Sequence, residues 1–110
     1  MKINSNIIDQ IKSYSIQNIS KEICGFIVEL NDTIKFIPVD NKHPDDKNFF
    51  LISPKDYLQI KNKYNILYFF HSHLNNSNFS ELDVFHQKYH NMNMLLYNIQ
   101  TEEFKEMKCK

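Results

Sequence analysis

Hydrophobic residues change their period several times along the chain. Ile3, Ile7, Ile8, Ile11 and Tyr14 recur at helical spacing, so residues 4–17 predict an amphipathic helix that packs on a sheet. Residues 24–30 and 33–39 are β-rich runs joined by Asn31-Asp32, a pair suited to a two-residue hairpin turn. A polar loop covers 40–48, and Phe49 to Ile52 is a short strand candidate. Ser53 can then cap a helix, with Pro54 in its first turn, running to about Asn62. The continuous apolar run Ile66 to Phe70 suits a strand buried on both faces. Ser80 to His90 reads as a third helix, with Ser80 as N-cap and Asp83 in the first turn, and residues 94–99 and 103–108 as two closing strands. The expected fold is a single α/β domain over 1–110, a mixed β-sheet with about three helices packed on it.

Lys plus Arg and Asp plus Glu both count 13, so no strong net field attracts nucleic acid or an anionic membrane. The amino-terminal segment interrupts its apolar residues with polar ones, and no run approaches the ~20 apolar residues of a bilayer span. Neither a secretion signal nor a membrane anchor is expected. Cys24 and Cys109 form no CxxC pair and are too few for a disulfide framework or a four-thiolate site, which fits a reducing cytoplasm. Gly25 is the only glycine, against an ordinary usage of roughly 7%, and it sits three residues after Glu22.

The chemistry concentrates at His71-Ser72-His73, directly after the buried strand. A period of two puts both imidazoles on one side and Ser72 on the other. Asp83 follows ten residues later, in the first turn of a helix, after a loop that can fold back. Two His and one carboxylate leave a tetrahedral zinc with an open position for water, which is the pattern of a catalytic rather than a structural site. Glu22, just before the first core strand, is the acid suited to act as general base and then general acid.

Each part has a plainer explanation. An isolated His-x-His is weak evidence for a metal, Ser80-x-x-Asp83 is accounted for by helix capping alone, and Glu22 by itself reads as a solvated charge at a strand entrance. Cys24 reads as a small buried hydrophobe. His86 and His90, at i and i+4 beside Asp83, form a rival ligand pair, and His43 a weaker candidate. Cytidine deaminases need Pro-Cys-x-x-Cys and zincins need HExxH, both absent here.

Taken in order, these segments resemble the JAMM (JAB/MPN-type) zinc metalloproteases. Their signature is a distant Glu, then His-Ser/Thr-His, then Ser-x-x-Asp. Glu22 in KEICGF, His71-Ser72-His73, and Ser80 with Asp83 match it, while Asn41 and the FFLISPKDY segment are similar to further family features. The resemblance implies a cytidine-deaminase-like fold and zinc on His71, His73 and Asp83. It also implies catalysis by Glu22 with Ser80 at the oxyanion, and hydrolysis of peptide or isopeptide bonds, often next to a ubiquitin-like tail. In size the chain is similar to bacterial and phage members, which implies a protein substrate or an assembly partner, such as in phage tails. Leu74 stands where the family usually has Pro, and six residues rather than seven separate His73 from Ser80. The loop 74–79 is expected to absorb that difference. The alternative expectation is a noncatalytic assembly or binding module of the same fold.

Overall fold

The computed structural model describes residues 3–74 and 79–108, the His90 side chain excepted. Helix α1 (Ser5–Gln17) begins where the Asn4 side chain accepts a hydrogen bond from the Ile7 N–H at 3.0 Å, and it turns Ile7, Ile11 and Ser15 inward. Strands β1 (Cys24–Leu30) and β2 (Thr33–Val39) form the expected hairpin. Asn31 and Asp32 both take positive φ, 51° and 64°, as a two-residue turn matched to strand twist requires.

Helix α2 (Pro54–Lys63) starts on Ser53, whose hydroxyl accepts from the Asp56 N–H at 3.1 Å. Strand β3 (Asn65–His73) follows, then α3 (Glu81–His90), β4 (Met94–Asn98) and β5 (Glu103–Met107). The five strands form one mixed sheet in the order β2-β1-β3-β4-β5. β3 and β4 are parallel, so α3 is the crossover between them, and the other neighbours are antiparallel.

Alternation along the central strands divides the core. Ile27 and Phe70 face α1 with Ile7, Ile11, Phe36 and Leu95. Phe26 and Phe69 face the other way, their rings 5.2 Å apart and both against Tyr57 of α2. The sheet is therefore covered on both faces. Gly25 is explained by its hairpin partner: a Cβ there would lie 2.3 Å from the Ile37 carbonyl oxygen, so β1 and β2 approach too closely for any side chain.

Two expectations need correction. Phe49 to Ile52 is not a strand, because its polar backbone groups are taken by residues 41–42 rather than by a ladder. The Asn41 side chain donates to the Phe49 carbonyl at 3.0 Å and accepts from the Leu51 N–H at 3.0 Å, while Lys42 N–H donates to the Leu51 carbonyl at 2.9 Å. β3 also differs. It runs through both histidines, where Phe69 to His73 pair with β4, and its first half is only partly covered: Tyr68 is buried, Ile66, Leu67 and Phe69 are half-buried, and burial is continuous from Phe70 onward. Among the described residues no helix is long and apolar enough to cross a membrane. Cys109 and loop residues 75–78 lie outside the described residues.

Candidate metal centre

The end of β3 determines where the two imidazoles go. Ser72, on the opposite face, bonds the chain entering β1 twice: its hydroxyl accepts from the Ile23 N–H and its N–H donates to the Ile23 carbonyl, each at 2.9 Å. His71 and His73 are thereby held on the α2/α3 face, both buried. α3 delivers the third side chain through a capping box. The Ser80 hydroxyl accepts from the Asp83 N–H at 3.1 Å, and Asp83 Oδ2 accepts from the Ser80 N–H at 2.9 Å. The residues that start the helix also aim its carboxylate.

That same Oδ2 lies 3.1 Å from His71 Nε2 and 3.3 Å from His73 Nε2. One ligand atom from each of His71, His73 and Asp83 falls within 4.8 Å of the others. Zinc-ligand bonds of ~2.0–2.1 Å at tetrahedral angles separate neighbouring donors by roughly 3.3 Å, so the spacing fits that ion. Without a cation, three nitrogens crowd one carboxylate oxygen. With one, both histidines present lone pairs to it.

The electrostatics favour the same protonation states. Burial lowers the pKa of His71, against the opposing pull of Asp83, which keeps the ring neutral as a metal ligand must be. Among the described residues His71 Nδ1 is buried without a hydrogen-bond partner, and the Phe50 ring stacks on the imidazole at 4.4 Å and 19°. Burial works to raise the pKa of Asp83, but hydrogen bonds from His71 and His73 outweigh it and hold the group well below the usual carboxylate range. It is a permanent anion at neutral pH.

Glu22 is also buried. Its N–H donates to the Asp46 carbonyl at 2.7 Å, and its carbonyl accepts from the Asn41 side chain at 2.9 Å. Burial pushes its pKa from 4.5 up to about 7, with His73 pulling it down and Asp83 pushing it up, so it is close enough to feel both. An acid of that kind can take and return a proton near neutral pH. Ser80 uses its oxygen as acceptor from Asp83, which leaves its hydroxyl proton available to donate.

The remaining candidates take other places. His43 Nδ1 accepts from the Asp45 N–H at 2.9 Å, and the ring packs on Phe49, so it organises its own loop. His86 lies outside the His71, His73 and Asp83 group, and the His90 side chain of the rival pair lies outside the described residues. Cys24 is buried, its thiol donating to the Val39 carbonyl at 3.7 Å and its pKa pushed up to about 12 by burial, with smaller opposing and reinforcing charges. It is inert. Sequence reasoning missed the role of Phe50 and the details of Asn41, which fastens the chain on both sides of Phe50 as well as the Glu22 carbonyl. A lone Asn between a strand and a polar loop was the available signal.

No protein-family model matches the sequence, and no curated protein does. Solved structures do match. The chain is similar to the solution structure of protein DSY2949 from Desulfitobacterium hafniense, with a TM-score of 0.70 and 16% identity over 96% of this chain and 88% of that one. At that identity the likeness concerns the fold: a small single-domain α/β protein with, among the described residues, a five-stranded mixed sheet and three helices.

Proposed function

We propose that this chain is a JAMM-type zinc metallopeptidase with a JAB/MPN, cytidine-deaminase-like fold. The observation that carries the reading is the convergence of His71 Nε2, His73 Nε2 and Asp83 Oδ2 at the separations a tetrahedral ion needs, beside a buried Glu22 that titrates near neutrality. A zinc ion bound to the three side chains supplies Lewis-acid polarisation of a carbonyl and a more acidic water.

The chain's own residues do the rest. Glu22 takes the proton released as water adds to the carbonyl carbon, then delivers it to the amine nitrogen as the C–N bond breaks. The Ser80 hydroxyl donates to the developing oxyanion. Asp83, fixed by the Ser80 N–H, holds the ligand set in register with the helix. The substrate is a peptide or isopeptide bond in a protein, next to a ubiquitin-like tail or in a phage or bacterial assembly, and neither nucleic acid nor membrane is a partner. A reducing cytoplasm suits the buried Cys24 thiol.

A second reading, a noncatalytic module of the same fold, is favoured by one feature. Leu82, Phe85 and Tyr89 form an exposed stripe on α3, 45%, 58% and 74% accessible, of the kind that meets another protein. The two readings separate on Glu22→Gln. If zinc-loaded wild type cleaves members of a peptide and isopeptide panel while Glu22→Gln binds zinc equally and cleaves none, the hydrolase reading holds. Identical behaviour of the two proteins on every substrate supports the module.

A further inference from the structure

The sheet face that carries His71 and His73 continues, two residues back along β3, to Phe69. Phe69 lies in the lining of a cavity of about 550 Å³, with Leu51, Ile52, Tyr57, His86 and Met92. The cavity and the metal centre share three parts of the fold. β3 gives Phe69 to one and His71 to the other, a step of roughly 6.6 Å along a strand. α3 gives His86 to one and Asp83, one turn earlier, to the other. Phe50 belongs to both, since its ring lines the cavity and stacks on His71 at 4.4 Å. The cavity therefore borders the candidate metal centre, with the Phe50 ring in contact with both.

The chemistry of the lining selects its occupant. Among the described residues it contains no carboxylate and no lysine, and its polar members are His86, Asn91 and the Tyr57 hydroxyl. Its volume exceeds the roughly 150 Å³ that accommodates a benzene ring in an apolar protein cavity. Leu51, on the lining, is still 49% exposed and gains from being covered. Substrate side chains on one side of an extended peptide repeat at the same roughly 6.6 Å as Phe69 and His71.

We propose that this cavity is the specificity pocket of the site. It takes a large apolar side chain, aromatic or branched aliphatic, from a peptide substrate within two residues of the bond held at the ligand triad. The assignment rests on reading the centre as a peptide hydrolase, yet the preference of the pocket is measurable without hydrolysis.

Chelator-treated full-length protein is titrated with N-acetyl-phenylalaninamide and, separately, N-acetyl-alaninamide, and followed by NMR. The expected result is shift changes centred on Leu51, Ile52, Tyr57 and Met92, with the phenylalanine probe binding about tenfold or more tighter. Leu51→Asp and Met92→Glu, both outside the buried core, are each expected to remove that binding while the unfolding midpoint stays near wild type. Equal binding of both probes, or shifts elsewhere, would overturn the pocket. A parallel screen of zinc-loaded protein on a peptide library separates the two claims. Cleavage without side-chain preference overturns the pocket and leaves the hydrolase reading standing. Probe binding without cleavage of any peptide leaves the pocket's apolar side-chain preference standing and overturns the hydrolase reading, and with it the pocket's role in substrate choice.

Discussion

Glu22 is an acid placed where its neutral form is favoured. Burial raises its pKa from 4.5 to about 7, with His73 opposing and Asp83 reinforcing, and its backbone N–H and carbonyl are both bonded in place. In the unfolded chain the same carboxyl titrates near 4.5. Across the intervening range the folded protein retains a proton that the unfolded chain has released. The Glu22 contribution to stability is therefore most favourable below about 4.5, falls as pH rises, and levels off above about 7. The displacement corresponds to up to ~3 kcal/mol. Glu22→Gln keeps the shape of the neutral acid and has no proton to lose. Urea unfolding of chelator-treated wild type and Glu22→Gln at pH 5 and pH 9 measures the effect directly. His71 and Asp83 are common to both proteins, so their contributions cancel to first order. Between the two pH values the variant should gain on wild type by about 2–3 kcal/mol. Parallel pH dependence in the two proteins would refute the claim that Glu22 is buried beside the triad. A divalent cation at the triad favours the anionic form of Glu22, so the acid limb of kcat/KM in the zinc-loaded protein is expected below pH 7.

Gly25→Ala should be among the most damaging single changes, because the new methyl meets the Ile37 carbonyl rather than a movable side chain; a loss of at least ~1–3 kcal/mol should appear as a lower midpoint in a circular-dichroism melt. Ser80→Ala removes the hydroxyl that caps α3 but keeps the backbone N–H that holds Asp83 Oδ2, so it should cost about 1 kcal/mol in urea unfolding while zinc affinity by chelator competition stays within about tenfold of wild type. Asn41→Ala deletes its bonds to Glu22, His43, Phe49 and Leu51, and should cost ~2–3 kcal/mol while raising hydrogen exchange at the Leu51 amide. Asp83 titrates near 3.8 when unfolded and well below that when folded, so its stabilisation of the metal-free protein is complete above about pH 4 and is lost on further acidification; Asp83→Asn should flatten an acid unfolding curve there.

The parts of the fold legible in the sequence were those fixed by local rules. Asn31-Asp32 closed a hairpin because both residues tolerate positive φ, and Ser53-Pro54 and Ser80-x-x-Asp83 opened helices because their hydroxyls cap the next N–H groups. The candidate ligand set followed from the same rules, since strand alternation pairs His71 with His73 and the capping box aims Asp83. What escaped was tertiary. Phe49 to Ile52 has the composition of a strand, but Asn41, eight and ten residues away from the groups it bonds, captures its backbone. The same capture sets Phe50 against His71, a contact without periodicity to reveal it. The lone Gly25 drew attention by its rarity, but its cause, the close passage of β2, is visible only in three dimensions.

The most direct test of the account is the zinc content of purified protein, by inductively coupled plasma mass spectrometry, after loading and removal of excess ion. One zinc per chain is expected in wild type and Glu22→Gln, with loss of the ion in His71→Ala, His73→Ala and Asp83→Ala. A wild type that retains no zinc, or ligand variants that keep the full complement, would contradict it.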